Sequence, residues 1–376
     1  MAERRVPVAV IGTSWWADAM YLPALEGSRA AHVVAVCGRD RERTEAFARR
    51  WGVPGVFTDW GALLASAKCE AVLVVTPNDT HHPIVMAALE QGMHVLCEKP
   101  LALEYQQARE MAQAAEAKGL TTMIPFTYRY MPTTRFLKRL VDGGYLGRPY
   151  HLNLRYYSSY GRDGAYLWRM DLGRAGSGVL GDLGSHFLHL AEWFFGEIET
   201  VTAVLSTLVQ RPAHDPAGRP IEPAEDTASI ILGFRNGAQG MVQVSAVAYE
   251  DTPFGQVHAM DLHGSGGTLR QVIDWDRLQH VSGAREGEGP MRPIEVPEEM
   301  WGGASHESVK DTYHDVFRRQ GFMIGEFVMA LAAGRMVRPD FRDGARLQAV
   351  LEAALRSDRE GRPVTVSEVT EGTSGS

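Results

Sequence analysis

Short apolar runs and amphipathic stretches alternate along the first third of the chain. VPVAVIG (6–12), AHVVAVCG (31–38), GVFT (55–58), EAVLVV (70–75), MHVLCE (93–98) and LTTMIPF (120–126) have the length and residue types of strands. Between them, Trp15–Leu25, Arg41–Trp51, Asp59–Ala67, Thr80–Gln91 and Glu104–Lys118 carry helical spacing. Runs that are apolar throughout predict strands buried on both faces. Their alternation with helices predicts a six-stranded parallel sheet with helices on both sides, a Rossmann-type domain over residues 1–125.

The pattern then changes. After a helix from about Thr133 to Asp142 come longer runs, YHLNLRYYSS (150–159), ETVTAVLSTLV (199–209), TASIILGF (227–234), AQGMVQVSAVAY (238–249) and QVHAMDLHG (256–264). Several alternate polar with apolar residues, which predicts a mostly antiparallel sheet with one face on helices and the other open. Arg235-Asn236-Gly237 predicts a hairpin turn. His314 to Arg356 reads as helical, and the polar tail from Ser367 is expected to be disordered. The expected fold class is therefore α/β: an N-terminal Rossmann domain, then an α/β domain over 126–366 with a large open sheet, then a tail over 367–376.

Bulk properties narrow the function. At 376 residues the chain exceeds what one core usually supports, so two domains are expected. A net charge of −8, without any basic run, argues against nucleic acid or an anionic membrane as partner. No apolar stretch approaches the roughly 20 residues of a membrane span, and MAERRVPVAVIGTSW lacks the core of a signal peptide. Cys37, Cys69 and Cys97 fall in or beside predicted strands and lack the paired spacings of a metal cluster, which suggests reduced thiols in a cytoplasmic protein. The partly apolar free face of the second sheet predicts a homodimer or homotetramer.

Three segments carry candidate chemistry. In I-G-T-S-W-W-A (11–17), Gly12 suits the sharp bend of a dinucleotide loop and Ala17 the small residue where helix meets strand. Ser14 occupies the place of the second glycine; an ordinary strand-to-helix turn would look similar. T-P-N-D-T-H (76–81) and E-K-P (98–100) follow the fourth and fifth strands, at the carboxyl ends where open parallel sheets bind ligands. Pro77 and Asn78 equally suit a helix entry capped by Asp79 or Thr80, and Lys99 a surface lysine. In G-S-G-V-L-G-D-L-G-S-H-F-L-H-L (176–190), Asp182, His186 and His189 share a face beside the apolar stripe Leu183, Phe187, Leu190 and Phe194. Packed core histidines fit that position too. A metal reading lacks a fourth ligand, so no metal is expected.

In order and separation, I-G-T-S-W-W-A, T-P-N-x-x-H, H-V-L-C-E-K-P and G-D-L-G-S-H, with F-T-Y-R-Y-M-P (126–132), resemble the glucose–fructose oxidoreductase/inositol dehydrogenase (Gfo/Idh/MocA) family from Val6 to about Val366. The resemblance implies an NAD(P)-dependent dehydrogenase or reductase acting on a sugar, polyol or related cyclic alcohol, with Lys99, Asp182 and His186 as the catalytic group. His186 is the candidate acid/base, because imidazole titrates nearest neutrality. Lys99 would polarise the substrate oxygen, and Asp182 would orient its neighbours. Cofactor contacts are expected from Gly12, Ser14, Trp15, Trp16, Gly38, Arg39, Thr76, Pro77, Asn78, His81, Glu98 and Lys99, and substrate contacts from Arg129, Trp168, Arg169, Tyr313 and His314. This chain departs from the family at Ser14, at Thr127, where asparagine is common, and at His189, where aspartate is common. Two alternative readings stay open, an NAD-dependent glycoside hydrolase on the same fold and a non-catalytic NADP- or sugar-binding protein.

The end of the second strand bears on the cofactor. Gly38 stands where an NAD-binding domain carries a carboxylate for the ribose, and Arg39 follows, with Arg41 and Arg43 nearby. This predicts NADP(H) over NAD(H), since guanidinium groups suit a 2′-phosphate. The alternative is that Asp40 is a helix cap and Arg39 a solvated turn residue.

Overall fold

The computed structural model describes residues 4–249, 255–319 and 322–372. The chain divides into two compact units, Met1–Pro125 with His314–Arg346, and Phe126–Tyr313 with Leu347–Ser376.

The first unit is built on six strands, β1 (Val6–Ile11), β2 (Ala31–Cys37), β3 (Gly55–Phe57), β4 (Ala71–Val74), β5 (His94–Cys97) and β6 (Thr122–Met123). All pairs are parallel, in the order β3-β2-β1-β4-β5-β6. Every residue of β4 is fully buried, as a strand covered on both faces requires. The order reverses direction between β1 and β4, the kind of switch point at whose carboxyl ends open parallel sheets bind ligands. After β1 the chain winds as a π-helical turn, Ala17–Tyr21, before continuing as the α-helix Leu22–Glu26.

Part of the C-terminal region belongs to this unit, although the sequence pattern assigned it to the second. The helix Met323–Ala332 buries Met323, Ile324, Phe327, Val328 and Leu331 and packs against β1 and β2. Ile124 N donates to Pro339 O (3.0 Å) and Phe341 N to Thr122 Oγ1 (3.2 Å), which ties the returning segment beside β6. Helical periodicity reveals an apolar stripe but not which sheet it will cover.

The second unit carries nine strands: β7 (Pro149–Ser158), β8 (Ile198–Ser206), β9 (Thr227–Phe234), β10 (Gln239–Ser245), β11 (Gln256–Gly264), β12 (Gly267–Asp274), β13 (Leu278–Arg285), β14 (Arg292–Ile294) and β15 (Val364–Thr365). Their order is β14-β13-β12-β11-β7-β10-β9-β8-β15, antiparallel except where β10 runs parallel to β7. The inward faces of β7, β9, β10 and β11 bury Leu152, Leu154, Ile230, Leu232, Val242, Val244, Met260 and Leu262, with the helix Ser185–Phe195 over β7 and β10 and the turn before it over β9 and β10. The outward face leaves Val204, Ile231 and Met241 exposed, with Ile231 paired to Met241.

Asn236 shapes the β9–β10 hairpin by accepting a hydrogen bond from Ala238 N (3.0 Å), while Gly237 takes a positive φ of 84°. The tail is ordered further than its composition suggested. Thr365 and Glu368 form a capping box, with Glu368 N donating to Thr365 Oγ1 (3.2 Å) and Thr365 N to Glu368 Oε1 (2.9 Å), and this starts the helix Val366–Gly372. Residues 373–376 of the expected disordered tail lie outside the described residues.

Candidate functional site

In the first unit the site begins where β1 ends. Gly12 has φ +123°, and a Cβ there would stand 2.2 Å from the Val75 carbonyl oxygen, so only glycine allows the chain to turn at this point. Ser14 Oγ accepts from Ala17 N (3.2 Å), which commits the hydroxyl to the start of the helical turn. Trp15 projects outward, 65% exposed. Trp16 Nε1 (2.8 Å) and Tyr21 OH (2.5 Å) both donate to Glu98 Oε1, while Lys99 N donates to Glu98 Oε2 (3.1 Å). One carboxylate thus joins the loop after β1 to the loop after β5. Burial, reinforced by the Glu98 charge, pushes the Tyr21 phenol up, so it stays a neutral donor.

His81 is fully buried and bridges the loops after β4 and β5: its Nε2 lies 3.0 Å from Thr76 O and its Nδ1 3.1 Å from Pro100 O. Burial pulls its pKa down. Its geometry is that of a brace for Thr76, Pro77 and the Lys99 segment. Asn78 is buried in the same turn.

The end of β2 is closed to a larger side chain. A Cβ on Gly38 would lie 2.5 Å from Thr44 Oγ1 and 2.6 Å from Thr13 Oγ1. Asp40 accepts from Arg43 N (2.8 Å) and so caps the helix Arg41–Arg50. Arg39 is exposed, whereas Arg43 reaches back to the first loop and donates from Nη2 to Thr13 O (2.8 Å). The Gly12 turn, the strand-order reversal and the Arg43 guanidinium fit a dinucleotide laid across this switch point.

In the second unit, the segment that begins at Gly176 is held by Glu225. Its carboxylate accepts from Gly178 N (2.7 Å) and Leu180 N (2.9 Å), and a Cβ on Gly178 would meet Glu225 O at 1.9 Å. Burial raises the Glu225 pKa, and these two amide donors oppose that rise. The chain then forms a π-helical turn, Leu180–Gly184, which carries Asp182 and runs into the helix bearing His186. Asp182 Oδ2 accepts from Tyr160 OH (2.8 Å) and Oδ1 from Arg169 Nε (3.2 Å); the Arg169 guanidinium lies 4.5 Å from the Trp168 ring centre. Burial and then the Asp182 charge push the Tyr160 phenol up, which keeps its proton in place.

His186 is 7% exposed, and its ring centre lies 4.7 Å from that of Tyr128 at 66°. Tyr128 OH lies 2.7 Å from Tyr156 OH and accepts from Gln256 Nε2 (3.3 Å). The Gln256 amide nitrogen also lies 3.0 Å from His258 Nε2. Tyr128, Tyr156, Phe187 and Trp275 surround His258, and burial pulls its pKa down to about 3. Tyr313 packs on Trp275 at 4.7 Å.

The structure thus gathers Trp168 and Arg169 at Asp182, and Tyr313 and His186 around Tyr128, in the second unit. Lys99 and His314 belong to the first. His189 lies elsewhere, stacked on Phe126 at 4.1 Å with Arg129 Nη1 3.2 Å from its Nε2; Arg129 itself lies over Trp193. Among the described residues no group of three or more His, Cys, Asp or Glu side chains is placed to hold a metal. Sequence reasoning missed Tyr128, Tyr156, Tyr160, Glu225 and Gln256. Tyr128 sits inside F-T-Y-R-Y-M-P and was within reach of the motif argument; the others join the site only through pairing of distant strands and loops.

Comparison with known proteins agrees with this architecture. Residues 6–126 match a model described as an oxidoreductase family with an NAD-binding Rossmann fold, and residues 134–270 match a GFO/IDH/MocA C-terminal domain. Levoglucosan dehydrogenase of Pseudarthrobacter phenanthrenivorans is 28% identical, with 86% of each chain covered. The crystal structure of an oxidoreductase domain protein from Kribbella flavida superposes with a TM-score of 0.83 at 30% identity, over 96% of this chain and 99% of that one. A levoglucosan dehydrogenase complex with NADH and levoglucosan gives 0.84 at 25% identity, over 96% and 99%. No helix among the described residues is long and apolar enough to cross a membrane.

The His258 cage carries a pH consequence. The unfolded chain binds a proton at this imidazole below its ordinary 6.5, whereas the folded unit refuses it down to about 3. Stability therefore falls on acidification through this window, by up to about 1.4 kcal/mol per pH unit. Substituting His258→Phe removes that term, so denaturant melts from pH 7.5 to 4.5 should show the stability gap between wild type and variant moving in the variant's favour as pH drops. A gap independent of pH would exclude a neutral buried His258.

Proposed function

Since the chain belongs to the GFO/IDH/MocA oxidoreductase family, we propose that it moves a hydride between a nicotinamide cofactor and the hydroxyl or carbonyl carbon of a sugar, polyol or related cyclic alcohol. The observation that carries this reading is the pairing of Asp182, fixed by Tyr160 and Arg169 in the π-helical turn, with His186 four residues later in the helix that continues from it. The substrate class draws support from the relative named for levoglucosan.

The bound nicotinamide supplies the two-electron redox chemistry. The protein's own groups manage the proton and the alcohol oxygen. In oxidation, His186 accepts the proton that leaves the carbinol oxygen; in reduction it returns that proton. The Lys99 ammonium stabilises negative charge developing on the same oxygen, and Asp182 orients the donors around it. Gly12, Ser14, Trp15, Trp16, Thr76, Pro77, Asn78 and Glu98 would hold or shape the dinucleotide, with His81 bracing the loops.

For the cofactor, NADP(H) is favoured over NAD(H). Gly38 leaves no room for a ribose-binding carboxylate, the Asp40 carboxylate is occupied as a cap, Arg43 stands at the first loop, and Arg39 is exposed just after β2. Incubation with a library of polyols, aldoses and anhydrosugars and each oxidised cofactor should give net nicotinamide reduction. NADPH should bind more tightly than NADH, and Arg43→Ala or Arg39→Ala should narrow the difference. Tighter NADH binding would reverse the cofactor assignment. Tightly held cofactor with glycoside cleavage and no net reduction would replace the dehydrogenase reading with a hydrolase.

The open sheet face supports association of like chains. Val204, Ile231 and Met241 are 63%, 60% and 44% exposed on adjacent strands, and such a patch rarely stays uncovered. Light scattering should find a dimer or tetramer that Ile231→Lys with Met241→Lys shifts toward monomer; a monomeric wild type at micromolar concentration would contradict this.

A further inference from the structure

His186 carries the proton in the proposed reaction, yet the helix backbone fixes only its Cα. The orientation of its ring depends on what packs against it. Tyr128 is one such neighbour, with its ring centre 4.7 Å away and its plane inclined by 66°. Edge-on aromatic contact of this kind is directional as well as apolar, because the rim and face of a ring carry opposite partial charge. Tyr128 lies in the short 3-10 turn Thr127–Tyr130, on a different element from His186.

The Tyr128 ring is itself fixed at its far end. Its hydroxyl meets Tyr156 OH on β7 (2.7 Å) and the Gln256 amide on β11 (3.3 Å). Tyr156 and Tyr128 are almost fully buried, and their rings also meet edge-on at 5.4 Å. Gln256 is held in turn by His258, which packs against both tyrosine rings. Two neighbouring strands of the sheet thus determine where the Tyr128 ring stands, and that ring meets the imidazole.

We propose that Tyr128 is a positioning residue for His186: its ring holds the imidazole in one orientation, and the hydroxyl contacts with Tyr156 and Gln256 hold the ring. This rests on the proton-transfer role given to His186 above. A small displacement of a reacting group costs up to about 100-fold in rate, so a loosened imidazole should show in turnover more than in binding.

The test uses the full chain with saturating cofactor. Tyr128→Leu should lower kcat at least about 10-fold while KM for the sugar changes less than about 3-fold. Tyr128→Phe, which keeps the ring but loses both hydroxyl contacts, should fall between wild type and Tyr128→Leu, with kcat lowered about 3-fold or more. Tyr156→Phe, which removes one of the fixing hydroxyls and keeps all packing volume, should lower kcat about 3-fold or more. A readout independent of activity comes from 15N-histidine NMR, in which the signal lost in His186→Ala identifies the residue. Its ring nitrogen shifts should report one tautomer in wild type and a mixture in Tyr128→Leu. Wild-type kcat and an unchanged His186 spectrum in Tyr128→Leu would overturn the positioning role, and if that variant does not fold, wild-type kcat in both Tyr156→Phe and Tyr128→Phe would do so. Inactive His186→Ala beside a fully active Tyr128→Leu sinks only this proposal. Full activity in His186→Ala sinks the functional reading with it.

Discussion

A carboxylate withdrawn from water must be met by donors, and this requirement organises both units. Glu98 collects Trp16, Tyr21 and the Lys99 amide, and so fixes the loop after β1 against the loop after β5. Glu225 collects Gly178 N and Leu180 N and sets the start of the segment that carries Asp182 and His186. Asp226, its neighbour in sequence, is fully buried; it accepts from Leu208 N and Val209 N (both 2.9 Å) and faces Arg211 at 3.5 Å, which pins the long connection between β8 and β9. Removing one partner from such a buried pair commonly costs about 3–5 kcal/mol, because the other charge is left without compensation. These contacts give the loops the rigidity that strands and helices provide elsewhere.

The surroundings of His186 follow a complementary logic. The wall formed by Tyr128, Tyr156 and His258 is polar in its hydrogen bonds but uncharged, since burial pushes both phenols up and pulls the His258 pKa down to about 3. Charge enters with Asp182, which pairs with Arg169. A neutral wall holds a ring without competing for its proton, whereas a fixed carboxylate and guanidinium arrange oxygen and hydroxyl groups nearby. The π-helical turn at Leu180–Gly184 is where the chain passes from one environment to the other.

Much of this was legible in the sequence, and the failures are instructive. The β1, β2, β4 and β5 runs stand out because strands buried on both faces are apolar throughout. Strands β12 and β13 escaped because TLRQVID and LQHVSGAR mix polar and apolar residues without a clean period, as partly exposed strands near a sheet edge do. Asp182 and His186 were visible from their spacing on one helix. His189 shares that spacing, yet it packs with Phe126 and Arg129, since a helix face is wide enough to serve two neighbours. The partners Tyr160 and Glu225 were invisible, because proximity created by loop and strand pairing leaves no local signature. Arg39 attracted attention by following β2 directly, but it is Arg43, one helical turn into the next element, that reaches the loop after β1.

The proposed reaction makes Lys99 and His186 participants in one chemical step. The most direct measurement is single-turnover kinetics of Lys99→Ala, His186→Ala and the double variant, with cofactor affinity measured alongside. Groups that act as a unit are strongly non-additive. Each single variant should lose at least about 100-fold in rate, the double variant should be little worse than either, and cofactor binding should stay measurable in all three. Wild-type rates in the single variants, or losses that simply multiply in the double variant, would contradict a shared step.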